Sequence, residues 1–258
     1  MKLEYLYGVL PIAVILVVWQ LLPQLGIVPQ QFLPKVSSVF YEIYTSALLG
    51  QGRYQLGANY LFTIERTLLG FALAAIIAVP LGIVIGSSRS VNRILEPTLE
   101  VFRPLPPVVL IPFFILIFGI NDSMYVAYIA FGAVWPILIN TIDGVREIEP
   151  LYLDLAKCLM MNKVRSFFRI RLPATSPYIV SGMRVSLLLA LLVTVAIEMV
   201  TGHNGLGFSV VYAQEESDAT TLYSVIVLLA ITGYVFDLLF VQAENRFMKW
   251  YKLSQNLT

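Results

Sequence analysis

Apolar positions along this chain come in long unbroken runs, separated by short stretches where charged residues collect. A bilayer core about 30 Å thick needs about 20 mostly apolar residues in a helix. Runs of this kind cover 7–25, 60–86, 104–120, 124–142, 178–201 and 222–243. The pattern predicts an all-α integral membrane protein with six transmembrane helices, organised as one domain over 1–258. Lys2 precedes the first run as it would in a signal peptide. No small-residue cleavage site follows, and five more runs come later, so a retained helix is expected. Residues 32–50 mix apolar and polar positions after Pro34, which predicts a short helix along the membrane surface.

The polar gaps set the orientation, because loops rich in Lys and Arg stay in the cytoplasm. Arg89, Arg93 and Arg103 follow the second run. Arg146, Lys157, Lys163, Arg165, Arg169 and Arg171 follow the fourth, and Arg246, Lys249 and Lys252 follow the sixth. The alternate gaps hold only Lys35 and Arg53. Both termini are therefore expected in the cytoplasm, in a bacterial inner membrane. Composition agrees: charged side chains make up 13% of the 258 residues, against about 25% in a soluble domain. A generally basic nucleic-acid-binding surface is excluded. One Cys and one His exclude a multi-ligand Cys/His metal site within the chain.

The longest basic connection, 143–177, has its own helical pattern. Leu151, Leu155, Cys158 and Leu159 fall on one face, followed by a basic amphipathic run over 163–171 and then Leu172-Pro173. Two readings fit these residues: a helix on the lipid surface touching anionic headgroups, or a docking element for a soluble cytoplasmic partner.

Asp154-Leu-Ala followed by Ile170-Arg-Leu-Pro173 resembles the EAA loop of ABC importer permeases. Arg66-Thr-Leu-Leu-Gly-Phe, Arg103-Pro-Leu-Pro-Pro, Asn140-Thr-Ile-Asp-Gly-Val, Pro177-Tyr-Ile-Val-Ser-Gly-Met-Arg184, Glu198-Met and Gly205-Leu-Gly207 are similar to the branch serving taurine, alkanesulfonates and nitrate. The resemblance implies the fold of a type I ABC importer permease. It implies as partners two cytoplasmic ATPases that bind ATP and Mg, a second permease (identical or homologous) and an extracytoplasmic solute-binding protein. It places the coupling element at Asp154, Leu155, Ala156, Cys158, Leu159, Met160, Leu172 and Pro173. One position departs from the pattern. Met160 stands where the family has Gly, a residue that tolerates positive φ at little cost. Three explanations stay open: a different turn geometry, a loop fitted to a particular ATPase, or pairing with a second, more typical permease. Independently of the resemblance, the chain has no Gly-x-x-x-x-Gly-Lys-Ser/Thr phosphate loop. No catalytic site or cofactor is expected in it.

Several residues inside the runs are candidates for the pathway. Glu198 is a carboxylate in a span, which is expensive and a functional candidate by default; its other reading is a wetted helix end. Arg184 either contacts an anion or snorkels to the interface. Arg103, Pro106 and Pro107 open the third run with a backbone that cannot be an ordinary helical turn, so they either line the pathway or start a rigid helix. Gly82 and Gly86 form a small-xxx-small pair for close packing, within the subunit or across a dimer. His203, Gly205 and Gly207 belong to a segment expected to be flexible and periplasmic, which the resemblance sets near the outer gate. The function expected is that of an importer subunit for a small anion such as a sulfonate or nitrate. A gradient-driven carrier and an importer of a neutral heterocycle such as a vitamin precursor are the alternatives.

Overall fold

The computed structural model describes residues 2–50 and 55–248. Arg53, Lys249 and Lys252, which entered the charge count, lie outside the described residues. The chain folds into ten helices among the described residues: α1 (Lys2–Gln24), α2 (Val36–Glu42), α3 (Leu56–Ser87), α4 (Arg89–Phe102), α5 (Pro107–Phe118), α6 (Asp122–Arg146), α7 (Pro150–Cys158), α8 (Lys163–Thr201), α9 (Leu206–Glu215) and α10 (Ala219–Phe247). The helix after Pro34 continues from α2 into a wider turn at Ile43–Leu48. Four helices, α3, α6, α8 and α10, are long and apolar enough to cross a membrane, and a fifth span is possible if the bent pair α4 and α5 counts as one. Two compact units emerge: residues 1–63 with 198–232, and residues 64–197 with 233–258.

The second unit is built around α6. More than half of its most apolar stretch is buried, about twice the share in α3 or α10. Met124, Tyr128, Ile129, Ala133 and Ile137 have no exposed surface. Glycines on neighbouring helices let those helices approach α6 closely. A Cβ on Gly82 would lie 2.6 Å from Thr141, and one on Gly86 would lie 2.8 Å from Val145. The small-xxx-small pair therefore packs α3 against α6 inside the subunit. Gly182 does the same for α8, where a Cβ would come within 2.8 Å of the Pro136 carbonyl. Asn121 caps α6, its side chain accepting from the Met124 N–H at 2.9 Å. Arg66, only 4% exposed, lies with its guanidinium 3.8 Å above the Tyr125 ring and reaches Asp122 at 3.2 Å.

The first unit is smaller. Trp19 of α1 donates to the Pro34 carbonyl at 2.9 Å and rests 5.5 Å from the Tyr223 ring. Leu56, Leu206 and Val225 form its fully buried apolar core.

Three sequence expectations need correction. The third span, expected over 104–120, is a helix of Pro107–Phe118 only, joined at 86° to α4. Pro104, Pro106 and Pro107 lack amide donors, so no helix can form until the last of them. Gly119 then ends it at φ 68. At about 1.5–2 Å per residue the segment is shorter than a bilayer core. The fifth span, expected from 178, begins instead at Lys163, because Phe167–Arg171 forms a widened turn ahead of Pro173. Such turns carry a helix past an irregularity without ending it. The stretch 202–207, expected to be flexible, leads into α9, where Leu206, Gly207 and Ser209 are buried.

Candidate functional site

Helix α7 starts at Pro150, which suits the first position of a helix because its missing N–H has no partner there anyway. Helix α7 turns Ala156 inward, leaving it 3% exposed, with Leu153 partly buried beside it. Beside it lie exposed apolar side chains: Leu151, Tyr152, Leu155, Leu159 and Met160 all have substantial exposed area. Cys158 is exposed as well. Asp154 accepts from Lys157 Nζ at 2.8 Å, an exposed pair on the same helix. The end of α7 explains Met160. The Met161 N–H reaches the Ala156 carbonyl at 3.0 Å, and the Met160 N–H reaches Lys157 at 2.9 Å. This is a Schellman ending, which requires a left-handed residue between the two donors. Met160 occupies that position at φ 50. The turn geometry associated with glycine is thus kept without the glycine. Leu172 and Pro173 are partly buried in α8, past the widened turn.

Arg103, Pro107, Gly132, Trp135, Asn140 and Leu189 line a cavity of about 310 Å³ where α4 bends into α5. Pro106 is the extended residue just ahead of α5, at φ −64 and ψ 123. Arg184 does not join this cavity. Its Nε and terminal nitrogen donate to both carboxylate oxygens of Asp237, at 2.7 and 2.9 Å. A two-pronged pair of this kind fixes one helix against another.

Glu198 is wholly buried in the first unit. Its Oε2 accepts from the Thr63 hydroxyl at 2.8 Å and from the Gly207 N–H at 3.1 Å. Thr63 Oγ1 in turn accepts from the Leu206 N–H at 2.8 Å. Asn59 supports the same turn, its Oδ1 accepting from the Gly205 N–H at 3.0 Å and its Nδ2 donating to Ser209 at 2.9 Å. These groups satisfy the first amides of α9, which have no partners within the helix. A negative charge at a helix N-terminus is favourable in addition. Gly205, at φ 105, presses against the Glu198 carboxyl with no room for a side chain. His203 is exposed and meets only the Thr201 carbonyl, at 3.1 Å, among the described residues.

Asn59, Thr63 and Arg66 were not singled out as site residues in the sequence. A signal was present: Asn59, Thr63, Arg66 and Thr67 recur at helical spacing within an apolar run, and all four are buried. Thr67 meets Thr194 at 3.0 Å.

Comparisons with known proteins bear on this geometry. A family described as "Binding-protein-dependent transport system inner membrane component" matches residues 78–249. A protein named as an ABC transporter permease in Methanocaldococcus jannaschii is 32% identical, with 94% of this chain and 91% of that protein covered. A protein named as an aliphatic sulfonates transport permease in Bacillus subtilis is 30% identical, covering 95% and 88%. The nitrate import permease of a Synechocystis strain is 31% identical, covering 88% and 83%. Among solved structures, a chain of the MetNI methionine ABC transporter in an inward-facing conformation superposes with a TM-score of 0.66. It has 19% identity and covers 73% of this chain and 94% of that one. The structural likeness speaks to the fold.

Proposed function

The chain belongs to the family of binding-protein-dependent transport system inner membrane components, and from that premise we propose that it forms half of the pathway of an ATP-driven importer for a small anion. It is a multi-pass permease subunit. The finer reading has six crossings, with α5 as a short one, and both termini in the cytoplasm. A second permease copy or homologue, two ATPases that bind ATP and Mg, and an extracytoplasmic binding protein complete the assembly. This chain itself binds no nucleotide. Sulfonate and nitrate are the cargoes named for two relatives, and Arg103 on the wall of the cavity at the α4–α5 bend supports an anion as the solute.

The observation that carries the reading is α7. It exposes an apolar face beside Cys158 while Ala156 anchors the helix inward. An apolar face left open within the most basic connection of the chain is the chemistry of a docking element, since exposed apolar patches mark sites of protein interaction. ATP binding would draw two such loops together and switch the pathway outward; hydrolysis would reset it. Asp154, Leu155, Ala156, Cys158, Leu159 and Met160 form the contact, with Leu172 and Pro173 linking it to the long helix α8. Glu198 acts by positioning α9, and Arg184 by pairing with Asp237.

The lone thiol supplies the test. A membrane-impermeant maleimide is expected to label Cys158 in inside-out vesicles and not in right-side-out ones, with protection when the ATPase is bound. Labelling that the ATPase leaves unchanged would favour a lipid-surface helix and a gradient-driven carrier. Labelling from the outside would reverse the orientation and remove the importer reading.

A further inference from the structure

A second cavity, of about 630 Å³, lies in the unit built around α6, where α3 and α6 end and α4 and α7 begin. Four guanidiniums line it. Arg89 and Arg93 stand one turn apart on α4, Arg146 closes α6, and Arg171 comes from the widened turn of α8. Glu96 is the sole carboxylate lining it among the described residues, and it is engaged by Asn92 Nδ2 at 3.0 Å. None of the four arginines has an ion pair or side-chain hydrogen bond among the described residues. Arg103 does not line this cavity, but it shares a smaller neighbouring one with Asn92, Glu96 and Arg146, where Glu100 and Asp143 add two carboxylates.

Four like charges around one concavity repel one another, with water screening part of the repulsion because Arg89, Arg93 and Arg146 are exposed and Arg171 is half-buried. An anion seated among them removes that cost. Guanidinium forks match the oxygens of a phosphate group two at a time, which a lysine cluster would not do. Helix α4 adds a second feature. It carries Arg89 and Arg93 toward the cavity and, on another face, leaves Ile94 73% and Val101 67% exposed. An anion joined to an acyl chain would thus find both charge and apolar surface on one helix. Basic pockets between helices at the cytoplasmic ends of membrane bundles suit phosphate headgroups for the same reason.

We propose that this cavity binds a phosphate-bearing anion, either the headgroup of an acidic phospholipid or a free phosphate. The site does not depend on what solute the transporter carries.

The test uses the full transporter, purified in a neutral detergent and followed by thermal unfolding and tryptophan fluorescence. Phosphatidylglycerol, phosphatidylcholine and inorganic phosphate are titrated separately. Saturable stabilisation by phosphatidylglycerol and none by phosphatidylcholine is expected. The R89Q/R93Q variant is expected to weaken it about tenfold or more, and R89K/R93K to fall between. A response to inorganic phosphate with the same loss in R89Q/R93Q, and no preference for the lipid, would support the site with a soluble source. R146Q, on a different helix, gives an independent reading should the α4 pair disturb folding. Equal responses in wild type and both Gln variants, or equal responses to the two lipids with none to phosphate, would overturn the proposal. So would variants that lose the ATPase in a pull-down yet keep the phosphatidylglycerol response, since the arginines would then serve protein docking.

Discussion

Two helix ends in this chain solve the same stereochemical problem in opposite ways. After Thr201 the backbone turns through an exposed Gly202 and a buried Gly205 into α9, and at Gly205 the turn is enclosed, with Glu198, Thr63 and Asn59 closing on the amides of Gly205, Leu206 and Gly207. After Cys158 it turns through Met160 alone, and the turn is open, with Met160 93% exposed. In the enclosed turn the backbone and the surroundings both dictate the residue: φ 105 with ψ 171 suits glycine, and a side chain at Gly205 would collide with the Glu198 carboxyl. In the open turn only backbone bonds dictate the conformation, and a residue with a large side chain is held in a conformation that suits glycine. The difference teaches that a left-handed position requires glycine when it is enclosed. When it faces outward, what the side chain can touch outside the chain can outweigh the local strain.

Replacing Glu198 should separate these regimes most strongly. E198A leaves the Gly207 amide without its buried acceptor, at about 1–3 kcal/mol, and takes from the Thr63 hydroxyl one of its two acceptors, the other being the Asn59 carbonyl at 3.1 Å. A loss of about 2–5 kcal/mol is therefore expected, read as a large fall in the apparent melting temperature of the purified complex. E198Q should be far milder. The Thr63 hydroxyl and the Gly207 N–H converge on one oxygen, Oε2, where an amide oxygen can accept from both, and the charge at the helix end, about 0.3–1 kcal/mol, is lost. If E198Q melts as low as E198A, the charge itself is essential and the positioning role fails. G205A comes next. Its φ of 105 with ψ 171 belongs to a region essentially confined to glycine, costing about 1–3 kcal/mol before the collision with Glu198 is counted. A G205A protein that melts with the wild type would mean that the enclosed turn is looser than its hydrogen bonds indicate.

The sequence revealed what depends on long averages. Apolar runs located α3, α6, α8 and α10, because some twenty apolar residues have few other uses. The α7 helix was legible from Leu151, Leu155, Cys158 and Leu159 at helical spacing. Features set by a few bonds were not legible. The prolines at 104–107 marked where the helix must break, but the 86° turn between α4 and α5 was not readable from them. Nor did any local pattern tell that Phe167–Arg171 would widen and let α8 run on past Pro173. Glu198 was visible as a costly carboxylate, but its partners were distant in sequence: Thr63 lies 135 residues away. The buried stripe of Asn59, Thr63, Arg66 and Thr67 had a readable period that the surrounding apolar residues masked.

The smallest effect, and the one that probes the open turn directly, belongs to Met160. An L-residue held in the left-handed region gives up about 1–2 kcal/mol. Glycine removes that strain but loses about 0.5–1 kcal/mol of backbone freedom on folding. M160G should therefore stabilise the loop by up to about 1 kcal/mol, since a side chain this exposed forfeits almost no packing within the chain. Binding of the ATPase should move the other way, because the same substitution deletes apolar surface from the proposed docking face. M160N distinguishes the two effects: asparagine accepts the left-handed conformation more readily than methionine and still removes the apolar contact. A higher melting temperature with weaker ATPase binding in both variants would mean that methionine is kept for what it touches in the partner. A lower melting temperature in M160G would mean instead that its side chain packs within this chain, and the contrast between the enclosed turn and the open one would collapse.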